Sequence, residues 1–158
     1  MSPLTAFFLL PRPLNGLITA LSVGVGALTA IQGPTWLPVL LAALSAALIN
    51  GAGNVFNDLI DIDIDRINRP DRPLPAGHIS HLAAGLQTLA LTLAGGLCAF
   101  WLSPWHGFLA LGITLLHAIY SIFLKNSLLL GNILVAGVGA IAFPYGAFAV
   151  GDIGRSWI

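Results

Sequence analysis

Residues 36–65 read WLPVLLAALSAALINGAGNVFNDLIDIDID, and this stretch decides the fold. From Trp36 to Phe56 it carries no charged side chain. A helix of roughly 20 such residues crosses the hydrocarbon of a bilayer, and it satisfies its own backbone polar groups on the way. Immediately afterwards come Asp58, Asp61, Asp63 and Asp65. So abrupt a change from apolar to acidic marks the edge of a membrane.

Working outward, four more apolar stretches of similar length appear: Leu14–Ile31, Leu82–Leu102, Trp105–Leu124 and Leu128–Val150. Turn residues separate them at Gln32-Gly33-Pro34, Ser103-Pro104 and Lys125-Asn126-Ser127. Trp36, Trp101, Trp105 and Trp157 fall near predicted helix ends, where indole prefers the interface. The expected fold is all-α: a multi-pass bundle of about five transmembrane helices, forming a single membrane domain over residues 1–158. The run Phe7–Leu10 is short, and Arg12 follows it instead of preceding it, which is the wrong order for a signal peptide. It reads as a short segment leading into the first span.

Composition agrees. Of the 158 residues 57% are hydrophobic and 8% charged, with a mean hydropathy of +0.92, whereas a soluble domain carries about 25% charged residues. This excludes a soluble globular domain, a disordered chain and a nucleic-acid binder. Basic and acidic residues balance at six each. The single cysteine, Cys98, lies inside an apolar stretch and reads as a small buried hydrophobe. Arg12, the trio Arg66, Arg69 and Arg72, and Lys125 fall on one side if five helices alternate, opposite Arg155. The positive-inside rule then turns the polar segment 57–81 to the cytoplasm.

The charge is concentrated: Asp58, Asp61, Asp63, Asp65 and Asp71 are five of the six acidic residues, and Arg66, Arg69 and Arg72 share their window. In a membrane protein such a cluster is a functional-site candidate by default. On a continuous helix, Asp58, Asp61 and Asp65 fall within about 60° of one another. Asn54 shares that arc, and Asn50 and Asn57 flank it. Asp63 points about 140° away from Asp58, toward solvent or a salt bridge. Three carboxylates on one face repel and need a cation or a raised pKa. An all-oxygen set suits Mg²⁺ or Ca²⁺, and Mg²⁺ uses one or two carboxylates while sharing substrate phosphates. Arginine forks match phosphate oxygens. Together these features point to a diphosphate on a lipidic chain. An EF-hand fails, because Arg66 and Arg72 stand where the loop needs Gly and Glu. A strand over 61–65 fails for want of a partner. Pro70, Pro73 and Pro75 keep 68–77 from being helical throughout and make it a stiff connection.

His78 and His81 read as the start of the third helix, His106 as near an interface, and His117 as bonded to a neighbouring helix. Asn132, early in the fifth span, is a candidate for facing the cavity.

The motif Asn57-Asp58-x-x-Asp61-x-x-x-Asp65, followed by Asn68-Arg69-Pro70-x-Arg72-Pro73-Leu74-Pro75-x-Gly77, resembles the UbiA superfamily of intramembrane prenyltransferases. Arg12-Pro13-Leu14-Asn15 resembles the start of that family's first helix, and Tyr120-Ser121-x-x-Leu124-Lys125 its motif at the end of the fourth. The resemblance covers almost the entire chain. It implies Mg²⁺-dependent transfer of an isoprenyl group from its diphosphate to a hydrophobic acceptor. Asn54, Asp58, Asp61 and Asp65 would hold the metal. Asn54, Asn57, Arg66, Asn68, Arg69, Arg72 and Lys125 would hold the diphosphate. Tyr120 would stabilise an allylic cation or orient the acceptor, and Asn15 and Asn50 would line the pocket. Within the family, Gly53–Asp58 and Asp61–Pro70 look most like members that pass geranylgeranyl to geranylgeranylglyceryl phosphate in ether-lipid synthesis. The match to members with aromatic acceptors, in the quinone or chlorophyll pathways, is looser. The family pattern also implies about nine helices and a second Asp-rich motif, so the chain reads as an N-terminal portion with a C-terminal half elsewhere. A non-catalytic isoprenoid-binding or transporter-like fragment is the rival reading. It is disfavoured because transporters bury their charges near the midplane.

Overall fold

The computed structural model describes residues 1–30 and 36–151. Helices α1 (Pro3–Leu9), α2 (Pro13–Leu28), α3 (Trp36–Ile60), α4 (Ile62–Asn68), α5 (His81–Leu102), α6 (Pro104–Ile119) and α7 (Leu130–Val150) succeed one another in order, with a π-helical turn over Tyr120–Leu124 after α6. Among the described residues there is no strand. Five segments are long and apolar enough to cross a membrane: Pro3–Leu28, Trp36–Ile60, His81–Leu102, Pro104–Leu124 and Leu130–Val150. The all-α, multi-pass expectation holds.

Local chemistry sets the helix starts. Ser80 accepts from Ala83 N at the head of α5, and Ser103 accepts from His106 N at the head of α6, each satisfying one of the free N–H groups that a helix start exposes. Pro104 occupies the first turn of α6, where its missing N–H costs nothing. The same Ser103, in extended backbone, ends α5. Gly77 sits at φ 73, a conformation that glycine adopts without strain, and closes the proline loop with Gly77 N bonded to Leu74 O at 3.1 Å.

Packing relies on small residues, as expected where lipid removes the hydrophobic drive between helices. A Cβ added to Gly26 would stand 1.9 Å from Phe143 O, and one added to Gly146 would stand 1.9 Å from Val23 O. So α2 and α7 cross backbone to backbone. Ser45 Oγ donates to Gly95 O at 2.8 Å and holds α3 to α5. His106 is buried, 2.7 Å from Ser103 Oγ and 3.2 Å from Tyr145 O. Leucines and phenylalanines along the outer faces are exposed, as lipid-facing side chains are, and so are Trp36, Trp101 and Trp105 at helix ends.

Several expectations are corrected. The segment before the first span is itself helical: α1 is separated from α2 by a break at Leu10–Arg12 and tied to α5 by Gln87 Nε2 donating to Phe7 O at 2.7 Å. The helix carrying the aspartates is not continuous, because it breaks at Asp61 (φ −90°, ψ 4°) and restarts as α4. Cys98 is half-buried. His106, in the first turn of α6 and so near a span end as expected, is packed among its neighbours. Asn132 is exposed and donates to Leu128 O of its own chain at 2.7 Å. The turn 32–34 and residues Asp152, Arg155 and Trp157 lie outside the described residues.

A charged rim over an apolar cavity

Among the described residues the Asp, Arg and Lys side chains gather at one end of the bundle, where α2 begins, α3 and α6 end, and α4 follows. Asp58, in the last turn of α3, is buried. Arg12, at the head of α2, pairs with it and also donates to Asn54 Oδ1 at 3.3 Å. Arg72, from the proline loop, donates from Nη1 to Asp58 Oδ1 at 3.3 Å and to Asp65 Oδ2 at 2.6 Å. Lys125, just after the π-helical turn, pairs with Asp61. Asn57 Nδ2 donates to Asp61 Oδ2 at 2.9 Å, and Ser121 Oγ donates to Asn57 Oδ1 at 3.3 Å. Asn54 Nδ2 donates to Pro11 O and to Asn50 Oδ1, both at 3.1 Å.

Three carboxylates therefore meet three cationic side chains from three separate elements. The carboxylates whose repulsion the sequence anticipates are paired with the chain's own arginines and lysine. The proline loop does what a stiff connection can do: it delivers the Arg72 guanidinium to two acids seven residues apart in sequence. The break at Asp61 does not scatter the acids, because Arg72 bridges α3 to α4.

The π-helical turn has a visible effect. Its bond from Lys125 N to Tyr120 O, at 2.9 Å, spans five residues, which adds a residue to the turn and re-aims the chain beyond it. Such turns cluster at functional sites. Here it leaves Tyr120 and Ser121 on the cavity wall while Lys125 reaches Asp61.

Beneath the rim lies a cavity of about 400 Å³ between α2, α3, α6 and α7. Its upper wall is polar, with Arg12, Asn15, Asn50, Asn54, Asn57 and Tyr120. Apolar residues such as Ile49, Ile113, Leu134 and Ala142 make up most of the remaining wall, with Thr19, Ser22, Ser45 and Tyr145 among them. The expected site residues Asn15, Asn50, Asn54, Asn57 and Tyr120 line it, and Asp58, Asp61, Asp65, Arg72 and Lys125 form the charged group above. Arg66 instead pairs with exposed Asp63 at 2.9 Å, and Asn68 and Arg69 are exposed.

Two participants are not evident from the sequence. Arg12 enters the sequence reading only through topology and the helix-start motif, not as a member of the site. Its signal is a lone arginine between two prolines at the end of an apolar run, and its backbone sits at φ 54, in the left-handed region that non-glycine residues rarely adopt. For His117 the sequence suggests a bond to a neighbouring helix. Its Nδ1 is buried without a hydrogen-bond partner, and its ring lines the cavity.

Among the described residues no three His, Cys, Asp or Glu side chains form a ready-made metal set. The donors present are carboxylate and amide oxygens, a hard set suited to Mg²⁺ in its habit of taking one or two protein carboxylates and leaving positions for phosphate oxygens. On donor chemistry the rim fits that ion.

The chain matches the UbiA prenyltransferase family over residues 17–158. It is 36% identical over 145 residues to the digeranylgeranylglyceryl phosphate synthase of Methanothermobacter thermautotrophicus, covering 92% of this chain and 51% of that one. It is 40% identical over 150 residues to the synthase of the same name from Methanoculleus marisnigri, covering 92% and 52%, and 37% identical to that of Thermococcus kodakarensis, covering 94% and 54%. A solved structure concerned with digeranylgeranylglyceryl phosphate synthase in membranes superposes with a TM-score of 0.89 at 27% identity, over 94% of this chain and 54% of that one. The chain thus spans about half the length of the curated relatives it matches.

Proposed function

This chain belongs to the UbiA prenyltransferase family, and from that premise we propose that it serves transfer of an isoprenyl group from an isoprenyl diphosphate to a lipid acceptor, with geranylgeranylglyceryl phosphate as the acceptor in ether-lipid synthesis. The observation that carries the reading is the stacking of a charged rim directly on an apolar cavity. A molecule that fits both is a diphosphate joined to a hydrocarbon tail. The names of the relatives favour a glyceryl phosphate acceptor over an aromatic one. Their extra length supports the reading that a further portion belongs with this chain.

The chemistry of the rim is dictated by charge. A diphosphate presents several negative charges, and Arg12, Arg72 and Lys125 are the groups that match it. As they turn to phosphate oxygens, Asp58, Asp61 and Asp65 lose their partners and require another cation. Asn54, Asp58, Asp61 and Asp65 are the residues that would hold Mg²⁺. When bound, the ion acts as a Lewis acid on the leaving diphosphate. The residues of this chain do the rest: the guanidinium forks and the ammonium orient the leaving group, the Tyr120 ring faces the cavity where positive charge develops on the allylic carbon, and the apolar walls keep water from it. The rim faces the cytoplasm on the positive-inside argument, since Arg12, Arg72 and Lys125 all lie at this end of the bundle.

Transfer from labelled geranylgeranyl diphosphate to geranylgeranylglyceryl phosphate, in membranes containing the chain, tests the proposal. Asp58→Ala is expected to abolish transfer while the protein stays folded in the membrane. Undiminished turnover in that variant overturns the assignment.

A further inference from the structure

His117 lies on α6 one turn before Tyr120 and Ser121, and its ring lines the cavity. Its Nδ1 is buried with no hydrogen-bond partner, a state that few buried polar atoms occupy. The ring owes its place to glycine. A Cβ at Gly53 would stand 2.6 Å from His117 Nδ1, 2.8 Å from Cγ and 3.0 Å from Cε1. Those three atoms form one edge of the imidazole, so Nε2 and Cδ2 form the edge turned away from α3. A neutral imidazole carries its proton on one nitrogen only. An orphaned buried N–H is rarer than an orphaned acceptor, so Nδ1 is the bare nitrogen and Nε2 carries the proton. The polar edge of His117 is then a hydrogen-bond donor on the wall of a mostly apolar chamber.

We propose that His117 Nε2–H donates to an uncharged oxygen of the prenyl acceptor, a hydroxyl or ether oxygen, and so favours an alcohol-bearing acceptor over one without oxygen at that point. The proposal rests on the prenyl-transfer reading above and deepens it. An isoprenyl tail has no oxygen to offer a donor, which leaves the acceptor as the partner that fits. The diphosphate is matched by the cations at the rim and has no need of a neutral imidazole. A donor facing the attacking oxygen cannot take its proton, so His117 is assigned to binding and orientation, not to base catalysis. Gly53 is a positioning residue: it leaves the room in which the Nδ1 edge of the ring meets α3.

The test separates the two substrates. KM for geranylgeranylglyceryl phosphate and KM for geranylgeranyl diphosphate are measured for the full chain in membranes, alongside direct binding of the diphosphate. Loss of one neutral hydrogen bond predicts that His117→Leu raises the acceptor KM about tenfold and leaves diphosphate binding unchanged. His117→Gln, which keeps a donor, recovers part of the loss. Gly53→Ala displaces the ring and mimics His117→Leu. An unchanged acceptor KM in His117→Leu overturns the inference, and so does an equal loss for both substrates, which marks a purely structural histidine. Wild-type chain that binds no isoprenyl diphosphate overturns the prenyl-transfer reading and the inference together.

Discussion

Asp58 and Asp65 share one guanidinium: Arg72 Nη1 lies 3.3 Å from Asp58 Oδ1 and 2.6 Å from Asp65 Oδ2. Both acids are buried, and burying a carboxylate without a partner is expensive. Arg72→Met leaves Asp65 unpaired and Asp58 with Arg12 alone. Breaking a buried pair costs about 3–5 kcal/mol. Arg72 is itself partly exposed, so the expected loss is at the lower end, about 3 kcal/mol, read as a fall in the thermal midpoint in detergent. A midpoint within a degree of wild type contradicts the bridging role.

Arg12 combines an ion pair with a strained backbone at φ 54. Arg12→Ala and Arg12→Gly remove the same guanidinium, but only glycine relieves the left-handed conformation. The glycine variant should therefore be the more stable of the two by about 1 kcal/mol. Equal stability in unfolding titrations shows that the backbone there carries no strain.

The α2–α7 crossing depends on two missing side chains. Gly26→Ala and Gly146→Ala each drive a methyl into a backbone carbonyl, and overpacking of this kind costs about 1–3 kcal/mol or more. Gly24, on the same helix, has nothing within 4 Å of its added Cβ. Gly24→Ala should be neutral or mildly stabilising. A loss at Gly24 as large as at Gly146 sinks this account of the packing.

The rim also sorts its cations. Lys125 reaches Asp61 beside the cavity, whereas Arg66 pairs with exposed Asp63. Removing one charge-assisted contact costs about 1.5–3 kcal/mol, so Lys125→Met should weaken geranylgeranyl diphosphate binding about tenfold or more. Arg66→Met should change it about twofold or less, since exposed pairs contribute little. Reversed effects would show that Arg66 swings into the site.

How much of this is legible in the sequence depends on the range of the interaction. The spans are legible because length and hydropathy are local properties. The grouping of Asp58, Asp61 and Asp65 is legible from the helical period, although the helix that justifies it breaks at Asp61; the group survives because Arg72, held by prolines, bridges the break. The role of Arg12 is not legible because its partner Asp58 is 46 residues away, and no periodicity links α2 to α3. The unpartnered Nδ1 of His117 is not legible either, since it depends on Gly53 of another helix. Arg66 falls outside the expected site because its neighbourhood in sequence, three residues from Asp63, captures it on the exposed side of α4.

The central claim is that these acids exist to hold a divalent cation against an isoprenyl diphosphate. Titration of geranylgeranyl diphosphate into the wild-type chain in nanodiscs, with magnesium and with chelator, tests it most directly, with Asp58→Asn run in parallel. The account predicts binding that magnesium tightens at least tenfold in the wild type and leaves unaltered in Asp58→Asn. Wild-type binding that is the same with magnesium and with chelator contradicts it.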